Sequence, residues 1–256
     1  MRGFSLVELS IVLVILGLLT GGILAGQSLI HAAELRAVTT EYQRWYTASR
    51  AFRDKYFAIP GDFNNAQAFW GQSTNCGGGA ATGTCNGNGD GYVQDATTAG
   101  GTGEAYQHWT QLALAGLIEG SYTGLSGASG TYVDLVGTAT PRSKYNGGGW
   151  GTHSAIGMFA GNGSYYSYNM GNYYVFGGSS TTGSADQALL KPEDAWNIDT
   201  KMDDGKPGTG GIIPRDAVGF GNTGSCTTSA SKTDYTGSYN LSVTSAACAL
   251  IFVRAY

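Results

Sequence analysis

Charge is what this sequence has least of. Only 12% of its 256 residues are Asp, Glu, Lys or Arg, about half the ordinary share. The formal net charge of −4 gives no hint of nucleic-acid binding, which needs a basic face. Proline is down to 5 and histidine to 3. His31, His108 and His153 are scattered along the chain, and none belongs to an H-E-x-x-H pair. G-x-S-x-G, a P-loop and C-x-x-C pairs are absent as well. The Gly-rich stretch 205–211 lacks a strand before it and a helix after it, which argues against a phosphate cradle. No catalytic constellation emerges, and the chain is expected not to be an enzyme. Disorder throughout is excluded by a hydrophobic share of 42%.

What is abundant is glycine, at 42 residues, and tyrosine, at 16. A charge-poor chain rich in Gly, Tyr, Ser and Thr reads as a loop-rich, strand-bearing protein of an extracellular compartment. Four cysteines, Cys76, Cys85, Cys226 and Cys248, allow three disulfide connectivities. Cys76–Cys85 and Cys226–Cys248 are favoured, because each closes a short loop in a Gly/Ser/Thr-rich stretch. Such bonds imply an oxidising compartment outside the cytoplasmic membrane, whereas four free thiols would not.

Residues Leu9 to Gly26 carry no charge, a length sufficient for a membrane-spanning helix. A cleaved secretory signal would have a shorter apolar core followed by a small-x-small site. Here the apolar run continues without a break into Leu35, Val38, Tyr42, Trp45, Phe52 and Tyr56, spaced by three, four or seven, the stripe of an amphipathic helix. Ile59-Pro60-Gly61-Asp62 is the stop signal. Residues 4–57 are therefore expected to form one helix, transmembrane over 4–26 and amphipathic over 27–57. Gly17, Gly21, Gly22 and Gly26 suit either close helix packing or the ordinary tolerance of glycine in a membrane segment. The globular head is expected over 58–256. It starts with a helical turn near Asn65–Trp70 and a low-complexity Gly-rich loop over 76–103. A helix over 104–120 follows, ending at Gly120, with His108 on its surface beside Trp109. Tyr-, Val- and Phe-bearing hairpins are expected over 121–190, a helix over 191–205 opening at Pro192, and a last strand within "YNLSVTSAACALIFVRAY". The fold class is α+β: a long helical stem and an antiparallel-sheet head with two disulfides.

The stretch Gly3-Phe4-Ser5-Leu6-Val7-Glu8-Leu9, followed by the apolar run, resembles the processing signal of the type IV pilin superfamily, which includes the type II secretion pseudopilins. The likeness is strong over 3–26, moderate to about residue 60 and weak beyond. It implies a leader of residues 1–3, cleavage between Gly3 and Phe4 by a prepilin peptidase, and methylation of the Phe4 amine. It also implies an inner-membrane precursor, an inner-membrane assembly platform with partner ATPases, and a periplasmic or cell-surface filament of copies of the chain or of other pilins. A charge inside hydrocarbon costs about 2.5–3.5 kcal/mol, so Glu8 needs either a partner or a place at the interface. The resemblance supplies the partner, the Phe4 amine of its own or a neighbouring chain. The helix-breaking proline that pilins often carry falls at Ala25 here. The segment 226–248 resembles the C-terminal disulfide-bounded loop of major pilins.

"CNGNGDGYVQD" places Asn86, Asn88 and Asp90 on alternate residues before Gly91, the opening of a calcium loop, with a carbonyl from Tyr92 next. Position 12 is Thr97 rather than Glu, and Glu104 is the candidate for the missing carboxylate. A plain Asn/Gly turn stapled by Cys76–Cys85 is the alternative. With so few negative ligands, Ca2+ affinity is expected at roughly 10⁻⁴–10⁻³ M. Asp199, Asp203 and Asp204 form a second acidic cluster, read as helix-end and turn residues with a second ion as the alternative. Three functions are thus carried forward. They are a structural pilus subunit, a type II secretion pseudopilin, and a membrane-anchored adhesin or glycan-binding module using the aromatic run "YYSYNMGNYY".

Overall fold

A computed structural model describes residues 5–76, 83–98, 100–128, 130, 132–155, 166–167, 169–180, 183–216 and 225–256. Helix α1 runs unbroken over Leu6–Tyr56 and ends where Phe57 turns left-handed at φ 53°, its N–H donating to the Arg53 carbonyl. Among the described residues three shorter α-helices follow, α2 (Ala66–Trp70), α3 (Glu104–Leu114) and α4 (Pro192–Met202). The strands are β1 (Gly148–Ala155), β2 (Gly171–Gly178), β3 (Ile212–Asp216) and β4 (Cys248–Phe252). They form one antiparallel sheet in the order β1-β2-β4-β3. Pro214 has no N–H to give a second neighbour, and it lies in β3, an edge strand. Both expected disulfides, Cys76–Cys85 and Cys226–Cys248, are present.

The register explains why the strands alternate so little in polarity. Trp150 pairs with Phe176, Tyr174 with Phe252, and Ile212 with Phe252. These side chains share one face of the sheet and pack with Leu35, Val38, Trp45 and Phe52 of α1. The opposite face carries Val175, Ile213 and Ile251, covered by Tyr166 and Met170. A sheet buried on both sides has little need of outward polar residues. Ring contacts knit the stem to the head: Tyr42 stacks on Phe252 at 4.3 Å, and Trp45 meets Trp109 edge-on at 5.5 Å.

Two expectations about α3 are corrected. The helix ends at Leu114, and the left-handed turn that follows falls at Gly116 (φ 72°) rather than waiting for Gly120. His108 is fully buried rather than on the surface, because every residue from Ala105 to Leu112 lies inside. Its Nδ1 donates to the Pro60 carbonyl at 3.0 Å, which can only accept, so Nε2 is left to accept; it lies 2.9 Å from the Tyr174 hydroxyl. Burial holds this imidazole neutral, with its pKa lowered to about 3. Helix α4 is also shorter than expected, ending at Met202.

One polar joint sets how the stem meets the sheet. Glu41 is a buried carboxylate on α1, and it accepts from Trp150 Nε1 at 2.8 Å, Ser143 Oγ at 2.6 Å and the Lys144 N–H at 2.8 Å. Hydrogen bonds to an ionised acceptor are worth more than neutral ones, and orphaned buried donors are costly. Glu41→Ala in the full chain, unfolded by urea in detergent micelles, is expected to lose about 3 kcal/mol. Glu41→Gln, which keeps an acceptor, should lose less. A loss under about 1 kcal/mol for the alanine variant would mean that water replaces the carboxylate.

Candidate functional site

The first candidate is the N-terminal half of α1. It is a helix long and apolar enough to cross a membrane by length and composition, with a mean hydropathy of 2.4 over its best window and none of that window buried. Every residue from Ser5 to Leu24 is exposed, and the first buried position is Leu35. Gly17, Gly21, Gly22 and Gly26 have open space where a Cβ would stand. Gly3 and Phe4 lie outside the described residues. Glu8 does have a partner: its Oε2 accepts the Ser5 N–H at 2.7 Å, and the Ser5 hydroxyl accepts from the Val7 N–H. This is a capping box, in which the acid satisfies a free amide at the start of the helix and lies at the positive end of its dipole.

The second candidate is an acidic loop on the head. Oxygens of Asp62, Asp90 and Glu104 lie within 4.8 Å of one another. Asp62 is buried just past the end of α1, and the loop 86–94 wraps around it. Its Oδ1 accepts from the Gly89 N–H at 2.6 Å and the Asp90 N–H at 3.1 Å, and its Oδ2 from the Gly91 N–H at 2.8 Å. Glu104, at the first position of α3, accepts from the Asn88 N–H at 2.7 Å and the Gln94 N–H at 3.0 Å. Asp90 accepts from the Tyr92 N–H, from Asn88 Nδ2 and from Gln94 Nε2. The close approach needs glycine: a Cβ on Gly87 would collide with the Asp62 backbone.

The loop's oxygens therefore gather, though not as the spacing alone arranged them. Asn88, Asp90 and Glu104 come together, whereas Asn86 turns its Oδ1 to cap the Gln67 N–H at 2.9 Å. Tyr92 joins through its N–H. In the sequence Asp62 belongs only to a helix stop, and no local pattern links it to a loop more than twenty residues away. Burial, then the charge of neighbouring carboxylates, raises the pKa of Asp62 and of Glu104 above the carboxylate norm, against the pull of the backbone N–H groups. Asp62 Oδ1 and Asp90 Oδ2 each accept two hydrogen bonds. Asp62 Oδ2, Asp90 Oδ1 and both Glu104 oxygens each accept one and keep a second lone pair, all of them oxygen donors of the kind a hard cation takes.

The chain matches no protein-family model, no curated protein and no solved structure. Sequence and structure together thus establish an architecture: an exposed apolar helix, of the kind that associates with membranes, carrying an α+β head. That shape is compatible with a pilin-like one.

Two further polar groupings hold the head together. His153 lies 2.6 Å from Asp95 and 3.2 Å from Asp134, with both ring nitrogens engaged. Burial alone would lower its pKa, but the two carboxylates overcome that and hold it well above the ordinary value. With a carboxylate against each ring nitrogen, His153 ties β1 to two loops. Asp199 accepts from the Tyr239 hydroxyl at 2.8 Å and the Gly205 N–H at 3.1 Å, tying α4 to the 226–248 loop. Asp203 and Asp204 accept from the turn that follows, as helix-end residues do.

Proposed function

We propose that this chain is a structural subunit of a type IV pilus-like filament, not a catalyst. On this reading a prepilin peptidase removes Met1–Gly3. The subunit waits in the inner membrane with its head in the periplasm, and it enters a periplasmic or cell-surface filament through an assembly platform. The observation that carries the reading is the division of α1, whose second half is core to the head while its first half, exposed and apolar, is packed against nothing among the described residues. Lipid covers that surface before assembly, and the stems of other copies cover it afterwards. Once residues 1–3 are gone, the new amine stands on Phe4, one residue from the Ser5 amide that Glu8 already holds. Glu8 then neutralises that amine on its own or a neighbouring chain.

The acidic loop supports the pseudopilin alternative, since calcium is a habit of that branch, and the two disulfides support an extracellular filament. The adhesin reading is weakened by the fate of its aromatic run: Tyr166, Met170 and Tyr174 are fully buried, and Tyr173 is half-buried. Tyr165 and Tyr168 lie outside the described residues.

Glu8→Gln keeps the shape of the side chain and removes its charge. In cells assembling the filament, the variant is expected at normal levels in the membrane fraction and reduced at least about tenfold, some 1.4 kcal/mol, in filaments sheared from the surface. Wild-type yields would contradict the assembly role. We also propose that Asp62, Asp90 and Glu104, with Asn88, hold Ca2+. Calcium at ten times its dissociation constant is expected to stabilise the head by about 1.4 kcal/mol, read as a higher melting temperature of the full chain. Glu104→Gln should abolish the response, and an unchanged response in that variant would remove Glu104 from the site.

A further inference from the structure

The apolar run Leu9–Ile30, free of Asp, Glu, Lys, Arg and His, is about 33 Å long as a helix, against about 30 Å of bilayer hydrocarbon. The run is bracketed by Glu8 and His31. Because α1 does not break, the level of the bilayer relative to the head is set by the helix itself. The headgroup layer, roughly 5–7 Å deep on each side, then corresponds to the levels of residues 31–35, at 1.5 Å per residue.

The head reaches down to that level. His31 Nε2 lies 2.8 Å from Oδ1 of Asp194, in the first turn of α4. Below this contact Lys191 shares a cleft with Ser28 and His31. Above it Ile198, Lys201 and Met202 line a second cleft with Leu35, Thr39 and Gln43. Helix α4 thus climbs beside α1 in the same direction, with its N-terminal turn lowest. That turn exposes Lys191, and a turn later Trp196 stands 39% exposed, a rarity in a chain whose Trp45, Trp109 and Trp150 are all buried. The β1 approach adds half-buried Tyr145. Burial first, then the charges of nearby Asp194 and Glu34, raise the Tyr145 pKa to about 12. Glu34, Glu193 and Asp194 outnumber Lys191 and Lys201, so the rim offers no strong attraction specific to anionic lipid.

We propose that this lower rim, with Trp196 and Lys191 at its centre and Tyr145 beside them, is a membrane-interface seat that rests in the headgroup layer of the bilayer the stem crosses. The inference rests on reading the first half of α1 as a membrane span. Trp and Tyr rings favour the headgroup level, and lysines there run their stems along apolar surface with the ammonium in water. Seated in this way, the head is held at a fixed height and angle until the subunit is withdrawn. The same side chains are then released for contact with a second copy.

The test uses the full chain reconstituted in phosphatidylcholine vesicles, with lipids brominated high on the acyl chain as quenchers. Wild-type tryptophan emission is expected to fall by about one part in five, the share of one tryptophan among the 5, and Trp196→Phe to show no such fall. The remaining tryptophans stand too far from the headgroups or too deep in the head. Extraction at alkaline pH reports separately whether the stem is inserted. An inserted chain whose emission ignores the bromines, or is quenched equally in Trp196→Phe, overturns the seat and leaves the span standing. A change in Trp196 emission that occurs only when copies associate would assign the face to a second copy and overturn the lipid reading. A chain washed out of the vesicles overturns the span and the seat together.

Discussion

One helix has to satisfy two solvents, and the rest of the structure depends on that constraint. From Leu35 onward α1 is the central element of the head core, with Val38, Trp45 and Phe52 buried against the sheet and α3. Before Leu35 it presents Leu, Ile and Val to whatever surrounds it, with exposures mostly above half. No residue between them breaks the rod, so neither half adjusts independently of the other. Apolar surface of that extent is stable only out of water, as in association with a membrane.

Scarcity of charge sharpens this picture, because several of the acids sit inside. Glu41, Asp62, Asp134 and Asp199 are all buried, and each accepts hydrogen bonds from a different part of the head. Glu41 joins the stem to β1, Asp62 gathers the 86–94 loop, Asp134 meets His153, and Asp199 meets Tyr239. A head with long Gly-rich connections has few regular backbone ladders to define its loops. Buried carboxylates and two disulfides take over that task, at a desolvation cost that the surrounding N–H and O–H donors offset.

The stem was legible from the first residues, since periodicity and the charge-free run depend only on local order. So were the two disulfides, because each partner was the nearest cysteine along the chain. The opening of α4 at Pro192 and the strand at the C-terminus followed from local signals too. What stayed hidden depended on contacts between distant segments. His108 carries a helix-surface spacing, yet α3 is enclosed on all sides, and no pattern within eleven residues reports that enclosure. Asp62 looked like turn punctuation, and only folding brings it to Asp90 and Glu104. Asn86 fitted the calcium-loop spacing but is diverted by a backbone N–H of α2 that its own segment does not reveal.

The central claim is that the amino-terminal stem is trimmed to Phe4 and then built into a filament. The most direct measurement is the intact mass of the chain recovered from filaments sheared off cells that make it naturally. A mass lacking Met1, Arg2 and Gly3, with one added methyl group on Phe4, is the predicted result. A chain that keeps those three residues wherever it is found in the envelope would contradict the account, and Glu8 would then be no more than the cap that holds the first turn of α1.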